Sequence, residues 1–166
     1  MTQTDAQSGI EADATLSPED LRERMIAELI DSGVLSDPRI EAASRAVPRE
    51  VFAPAGTPAE MSYATDDALR TRFADDGRAL SSLSAPTMHA GNLAQAQIED
   101  GQHVLEIGSG GPNAATLAHL VGPTRQVVRV DIDAGVRVGT IGLGEEPVGR
   151  HQRRWKHVVF LGPRHH

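Results

Sequence analysis

The stretch VLEIGSGGPNAATLAHLVG, residues 104–122, followed by QVVRVDID, residues 126–133, constrains the fold more than any other part of the chain. A short apolar run of β-branched character reads as a buried strand, a glycine cluster as a tight turn, and the pattern beyond it as a helix closed by Gly122-Pro123. Strand, turn, helix and strand within about thirty residues form a βαβ unit, whose two strands must run parallel with a right-handed crossover. The expected fold class is therefore α/β. Such a turn lies at the carboxyl edge of the sheet, where backbone N–H groups and a helix N-terminus meet small polar or charged ligands. A dinucleotide fingerprint needs glycines at G-x-G-x-x-G, and after Gly108 and Gly110 the third required position is Asn113. Dinucleotide binding is thereby disfavoured. Asp131 closes the second strand 23 residues beyond Gly108, where a carboxylate can accept from both hydroxyls of a ribose, so a nucleoside is the better expectation. A ligand-free turn with Asp131 as an exposed strand-end charge remains the alternative, and Glu106 reads equally as a solvent-facing strand residue or a partner of the helix dipole.

With 166 residues, there is room for one domain and its tails. Net charge is −7 and cysteine is absent, which removes disulfides, thiolate metal sites and cysteine nucleophiles. Acidity argues against bulk attraction to nucleic acid or an anionic membrane. No apolar run reaches membrane-spanning length, and the polar, acidic start is unlike a secretory leader, so a cytoplasmic protein is expected. The charge is uneven: residues 1–133 carry 10 Lys+Arg and 21 Asp+Glu, whereas residues 134–166 carry 6 and 2.

Residues 1–16 lack apolar periodicity and are expected to be disordered. SPEDLRERMIAELIDSG predicts a helix capped by Ser17, with Pro18 at its first position, a stripe of Leu21, Met25 and Leu29 flanked by Ile26 and Ile30, and Gly33 as its stop. SDPRIEAASRAVPRE repeats the logic with Asp37, Pro38, Ile40, Ala43, Val47 and Pro48. Residues 48–85 read as a long irregular connection. A further helix is expected from about Pro86 to Gln97, with Ser84 as its N-cap on spacing alone; His89 on that helix reads as a surface or packed histidine.

Three stretches, in order along residues 21–133, resemble the protein-L-isoaspartate O-methyltransferases: RMIAELIDSGVLSDPRIEAASRAVPREVFAP, LSAPTMHAGNLAQ, and VLEIGSGG…AATLAHLVG with VVRVDID. The resemblance implies a Rossmann-like methyltransferase fold behind a small helical region, S-adenosylmethionine as cofactor, and methyl transfer to an isoaspartyl or side-chain carboxylate of a protein or peptide. It puts Glu106, Gly108 and Gly110 on the cofactor turn, Asp131 on the ribose carboxylate, Ser84 on the active-site serine and His89 on the histidine of the MHA stretch. The spelling GSGG-N-A is similar to an actinobacterial branch associated with ribosomal peptide modification. A carboxylate acceptor is already anionic at neutral pH, so positioning by hydroxyls such as Ser84, Ser81 or Ser82 suffices without a strong base.

Two features depart from that family. Pro112 stands where a third glycine is usual, at small cost if it opens the helix. Residues 134–166 match nothing in the family's continuation and read as a truncated or frameshifted tail, in which VRVGTIGL and KHVVFLG are candidate strands beside a sheet of two or three strands. The tail histidines 151, 157, 165 and 166 match no tetrahedral site, and no metal is expected. The competing reading is an inactive relic, or a fragment that binds peptide without catalysis.

Overall fold

In a computed structural model of the chain, the structure describes residues 16–108, 111–125, 127–130, 139–141 and 157–160. Helix α1 spans Pro18–Asp31, and its start follows the sequence closely: the Ser17 hydroxyl accepts from the Asp20 N–H at 3.1 Å while the Asp20 carboxylate reaches back to Ser17, a reciprocal capping box. Leu21, Met25, Ile26 and Leu29 are buried, whereas Ile30 stays exposed at the stripe's edge. Gly33, at φ +75°, turns the chain so that the Leu35 N–H returns to the Leu29 carbonyl. Helix α2, Pro38–Ala46, is capped by Asp37, and Ile40, Ala43 and Val47 are buried as expected. It packs on α1 and on the later helix Pro112–Val121.

The segment after Pro48 corrects the expectation of an irregular connection. It holds a 3-10 turn at Arg49–Phe52, a short helix α3 at Ala59–Tyr63, and an antiparallel hairpin of β1, Leu69–Phe73, with β2, Ala79–Leu83. Asp76-Gly77 is the hairpin signal: Gly77 adopts φ +82°, and the Asp76 carboxylate accepts from the Arg78 N–H at 2.9 Å. Short strands with one buried residue at each far end, Leu69 and Leu83, leave too little alternation to be read as a pair.

Helix α4 spans Pro86–Ala96 and ends at Gln97 in the left-handed region. Its start is a second correction. Ala85, not Ser84, occupies the N-cap, and no side chain caps it; instead the Thr87 N–H donates to the carbonyl of Thr65 at 3.1 Å. A tertiary partner has satisfied a donor that otherwise needs a local cap.

The βαβ unit is present as strand β3, Val104–Ile107, helix α5, Pro112–Val121, and strand β4, Val127–Val130, with β3 and β4 parallel and Ile107 opposite Val130. Two further strands, β5 at Gly139–Ile141 and β6 at His157–Phe160, complete a four-stranded sheet of order β5-β4-β3-β6, larger than the two or three strands expected. β6 is parallel to β3, and β5 antiparallel to β4. Val104, Val127, Ala114, Leu117 and Val121 are fully buried between sheet and helix and join the side chains of α1, α2 and α4 in one core. Among the described residues no helix is long and apolar enough to cross a membrane.

Candidate active site

At the carboxyl end of β3, Gly108 adopts φ +79° and donates its N–H to the Val130 carbonyl at 2.9 Å, which ties the turn to the end of β4. Asp131 is the next residue after Val130; like Gly110, it lies outside the described residues. Gly111, at φ +105°, caps α5, and Pro112 takes the first helical position, where its missing N–H costs the helix nothing. Glu106 is fully buried and faces neither solvent nor the exposed surface; Asn113 on α5 donates to its Oε1 at 2.8 Å. The polar pair therefore joins the strand end to the first turn of the helix, and among the described residues the buried Asn113 Oδ1 has no hydrogen-bond partner. The residue that breaks the dinucleotide spacing thus has a structural duty of its own.

Phe52 comes from the 3-10 turn to lie against this bend. A Cβ built on Gly111 would stand 2.5 Å from the Phe52 Cδ1. Gly111→Ala should therefore combine backbone strain with a ring clash and cost about 2–4 kcal/mol, read as a lowered urea midpoint. Adding Phe52→Ala should restore the steric share and leave the share due to positive φ.

A second polar cluster is organised by a residue that sequence reading passed over. Arg49 is only 6% exposed. Its Nε donates to the Ser62 carbonyl at 2.9 Å, its Nη2 to the Ser84 carbonyl at 2.8 Å, and its Nη1 contacts the His89 Nδ1 at 2.8 Å. Acceptors 13, 35 and 40 residues away in sequence converge on one guanidinium. Burial lowers the Arg49 pKa to about 10, still cationic at neutral pH. Burial first, and then the Arg49 charge, push His89 down to about 3, so its imidazole is neutral. The only local signal for Arg49 is its place in VPRE, between a helix terminator and a turn, which by itself does not announce three distant acceptors. Ser84 and His89 are thus brought together through Arg49. Met25, Leu29, Ser44, Pro86, Pro112 and Thr116 join Arg49 and His89 in lining a cavity of about 30 Å³, room for a water and not for a nucleoside.

A pH dependence follows from the depressed His89 pKa. Below the ordinary pKa of 6.5 the unfolded chain takes up a proton that the folded chain refuses. The contribution is whole above pH 6.5 and is lost as pH falls toward 3, amounting to about 2–4 kcal/mol for a part-buried ring. His89→Asn, which still offers Arg49 an acceptor but does not titrate, should flatten the stability profile across that interval in denaturant titrations.

A helical lobe in front of a mainly parallel sheet, with a glycine bend at the carboxyl edge of an inner strand, defines a Rossmann-like α/β architecture, here incomplete. The model of the family described as protein-L-isoaspartate(D-aspartate) O-methyltransferase matches residues 20–139. Protein-L-isoaspartate O-methyltransferase 1 of Rhodopseudomonas palustris is 32% identical over 140 residues, 81% of this chain and 54% of that protein. The protein-L-isoaspartate O-methyltransferase of Methanothermobacter thermautotrophicus is 31% identical over 119 residues, 68% of this chain and 48% of that protein. A solved protein-L-isoaspartate O-methyltransferase superposes with a TM-score of 0.58 at 27% identity, covering 84% of this chain and 41% of that one. A beta-aspartate methyltransferase (PCMT) structure from Plasmodium falciparum, in complex with S-adenosyl-L-homocysteine, shares the fold with a TM-score of 0.56 at 16% identity, over 69% of this chain and 50% of that one. The chain belongs to the protein-L-isoaspartate O-methyltransferase family, and it spans about half the length of the curated relatives it matches.

Proposed function

We propose that this chain binds S-adenosylmethionine at the bend after β3 and directs methyl transfer to an isoaspartyl carboxylate of a protein or peptide. The observation that carries the reading is the bond from Gly108 to Val130, which sets the glycine bend beside the strand end that leads into Asp131. The residues fit such a group: the bend has two positive-φ glycines, α5 begins immediately after it, and among the described residues the buried Asn113 Oδ1 has no partner there. Gly108, Gly110 and the first turn of α5 would hold the amino-acid end, Glu106 would brace the bend, and Asp131 would take the ribose hydroxyls. The cofactor supplies an electrophilic methyl group, and the acceptor is esterified. Ser84, whose hydroxyl does not cap α4, orients the acceptor carboxylate, and neutral His89 assists as a hydrogen-bond donor. Neither has to remove a proton, because the acceptor is already an anion. The same reading makes the chain a cytoplasmic enzyme acting on proteins, with a dedicated peptide substrate as the variant suggested by its GSGG-N-A spelling.

Calorimetric titration with S-adenosylhomocysteine, followed by a methyl-transfer assay on an isoaspartyl peptide, tests this. Binding lost in Asp131→Ala, with turnover in the parent chain, is the expected result. A folded chain silent in both measurements would instead support a second reading, peptide binding without catalysis.

A further inference from the structure

We propose that Arg49 is the positioning residue of the acceptor side: by donating at once to the Ser84 carbonyl and to the His89 Nδ1, it locks His89 as an Nε2–H donor held in register with Ser84. The inference rests on the assignment of Ser84 and His89 to the acceptor site.

A guanidinium carries only donors, so a contact of 2.8 Å with the His89 Nδ1 requires that nitrogen to be the acceptor. In a neutral ring the proton is then on Nε2. Desolvation of the ring acts in the same direction as the Arg49 charge, and Arg49 is the one charged group bearing on His89 among the described residues. The result is an imidazole that neither accepts a proton nor swaps tautomers. Such a ring can only donate through Nε2, which suits recognition of a permanent anion and not proton abstraction. Because the same side chain also holds the Ser84 backbone and the Ser62 carbonyl of α3, the helical lobe, the exit of β2 and the first turn of α4 share one fixed point. Lysine has the charge but not the fork: its donors share one nitrogen, whereas Arg49 reaches its three acceptors from three separate nitrogens.

The test is nitrogen-15 histidine NMR on the full chain, for the parent, Arg49→Lys and Arg49→Met. The parent should show His89 purely as the Nε2–H tautomer and unchanged from pH 8 to pH 5. Arg49→Lys should populate both tautomers, and Arg49→Met should raise the titration midpoint by roughly one pH unit or more. A parent spectrum with the proton on Nδ1 overturns the proposal even if neither variant folds, as does a folded Arg49→Lys with an unaltered His89 signal. An isoaspartyl peptide titrated into the parent should move the His89 Nε2 resonance while leaving the exposed His119 in place. An unmoved His89 signal overturns the donor role whether or not the methyl-transfer assay is positive, and that assay alone decides the proposed function.

Discussion

Replacing Arg49 by methionine is expected to lower stability by about 2–4 kcal/mol, and to do so mainly through the groups it leaves behind. Two backbone carbonyls and an imidazole nitrogen lose their donor at a site only 6% exposed, and each stranded buried acceptor costs about 1–3 kcal/mol. Part of that sum is offset because methionine carries no charge to desolvate. Chemical denaturation would read the loss as a lower midpoint. Near-unchanged stability would mean that the three acceptors find water and that Arg49 is no anchor.

Leu117→Ala is expected to cost about 2–5 kcal/mol, at the upper end because the site has little freedom to collapse. Leu117 is fully buried, within a core that also holds the fully buried Val104, Val121 and Val127. Its neighbours on the sheet are β-branched and cannot easily swing into the void. The measurement is the urea midpoint at constant slope; a loss under 1 kcal/mol would show that the βαβ unit is loosely packed. Leu117→Met, which keeps the volume, should recover most of the stability.

Much of the helical lobe was legible because its signals are local. Ser17, Pro18 and Asp20 specify a helix start through bonds that span three residues, and Asp37 with Pro38 does the same for α2. The βαβ unit was legible for a related reason: a fully buried strand and a helix of different period sit on either side of glycines that only a turn accommodates. The hairpin was missed because its two strands are short and mostly exposed, so little of their pattern reports a buried face. Ser84 was assigned to the wrong local task because spacing to Pro86 suggests a cap, while the donor concerned is satisfied by Thr65, 22 residues earlier in the chain. The sheet gained β6 beside β3, a pairing over some fifty residues that no local pattern announces.

For the candidate site the division is the same. The proposed cofactor side, Glu106, Gly108, Gly110 and Asp131, is named from a strand end and a glycine bend written in nearly contiguous residues, of which Gly110 and Asp131 lie outside the described residues. The link between Arg49, Ser84 and His89 could not be named in that way, since separations of 35 and 40 residues close only when the helices pack. What the sequence determined by itself was which backbone segments become helix, strand and bend, because caps, periodicity and glycine act within a few residues. Only the tertiary structure decided which polar groups share a buried cation and which nitrogen of His89 is left to donate, because hydrogen bonds between distant segments depend on where the core brings them together.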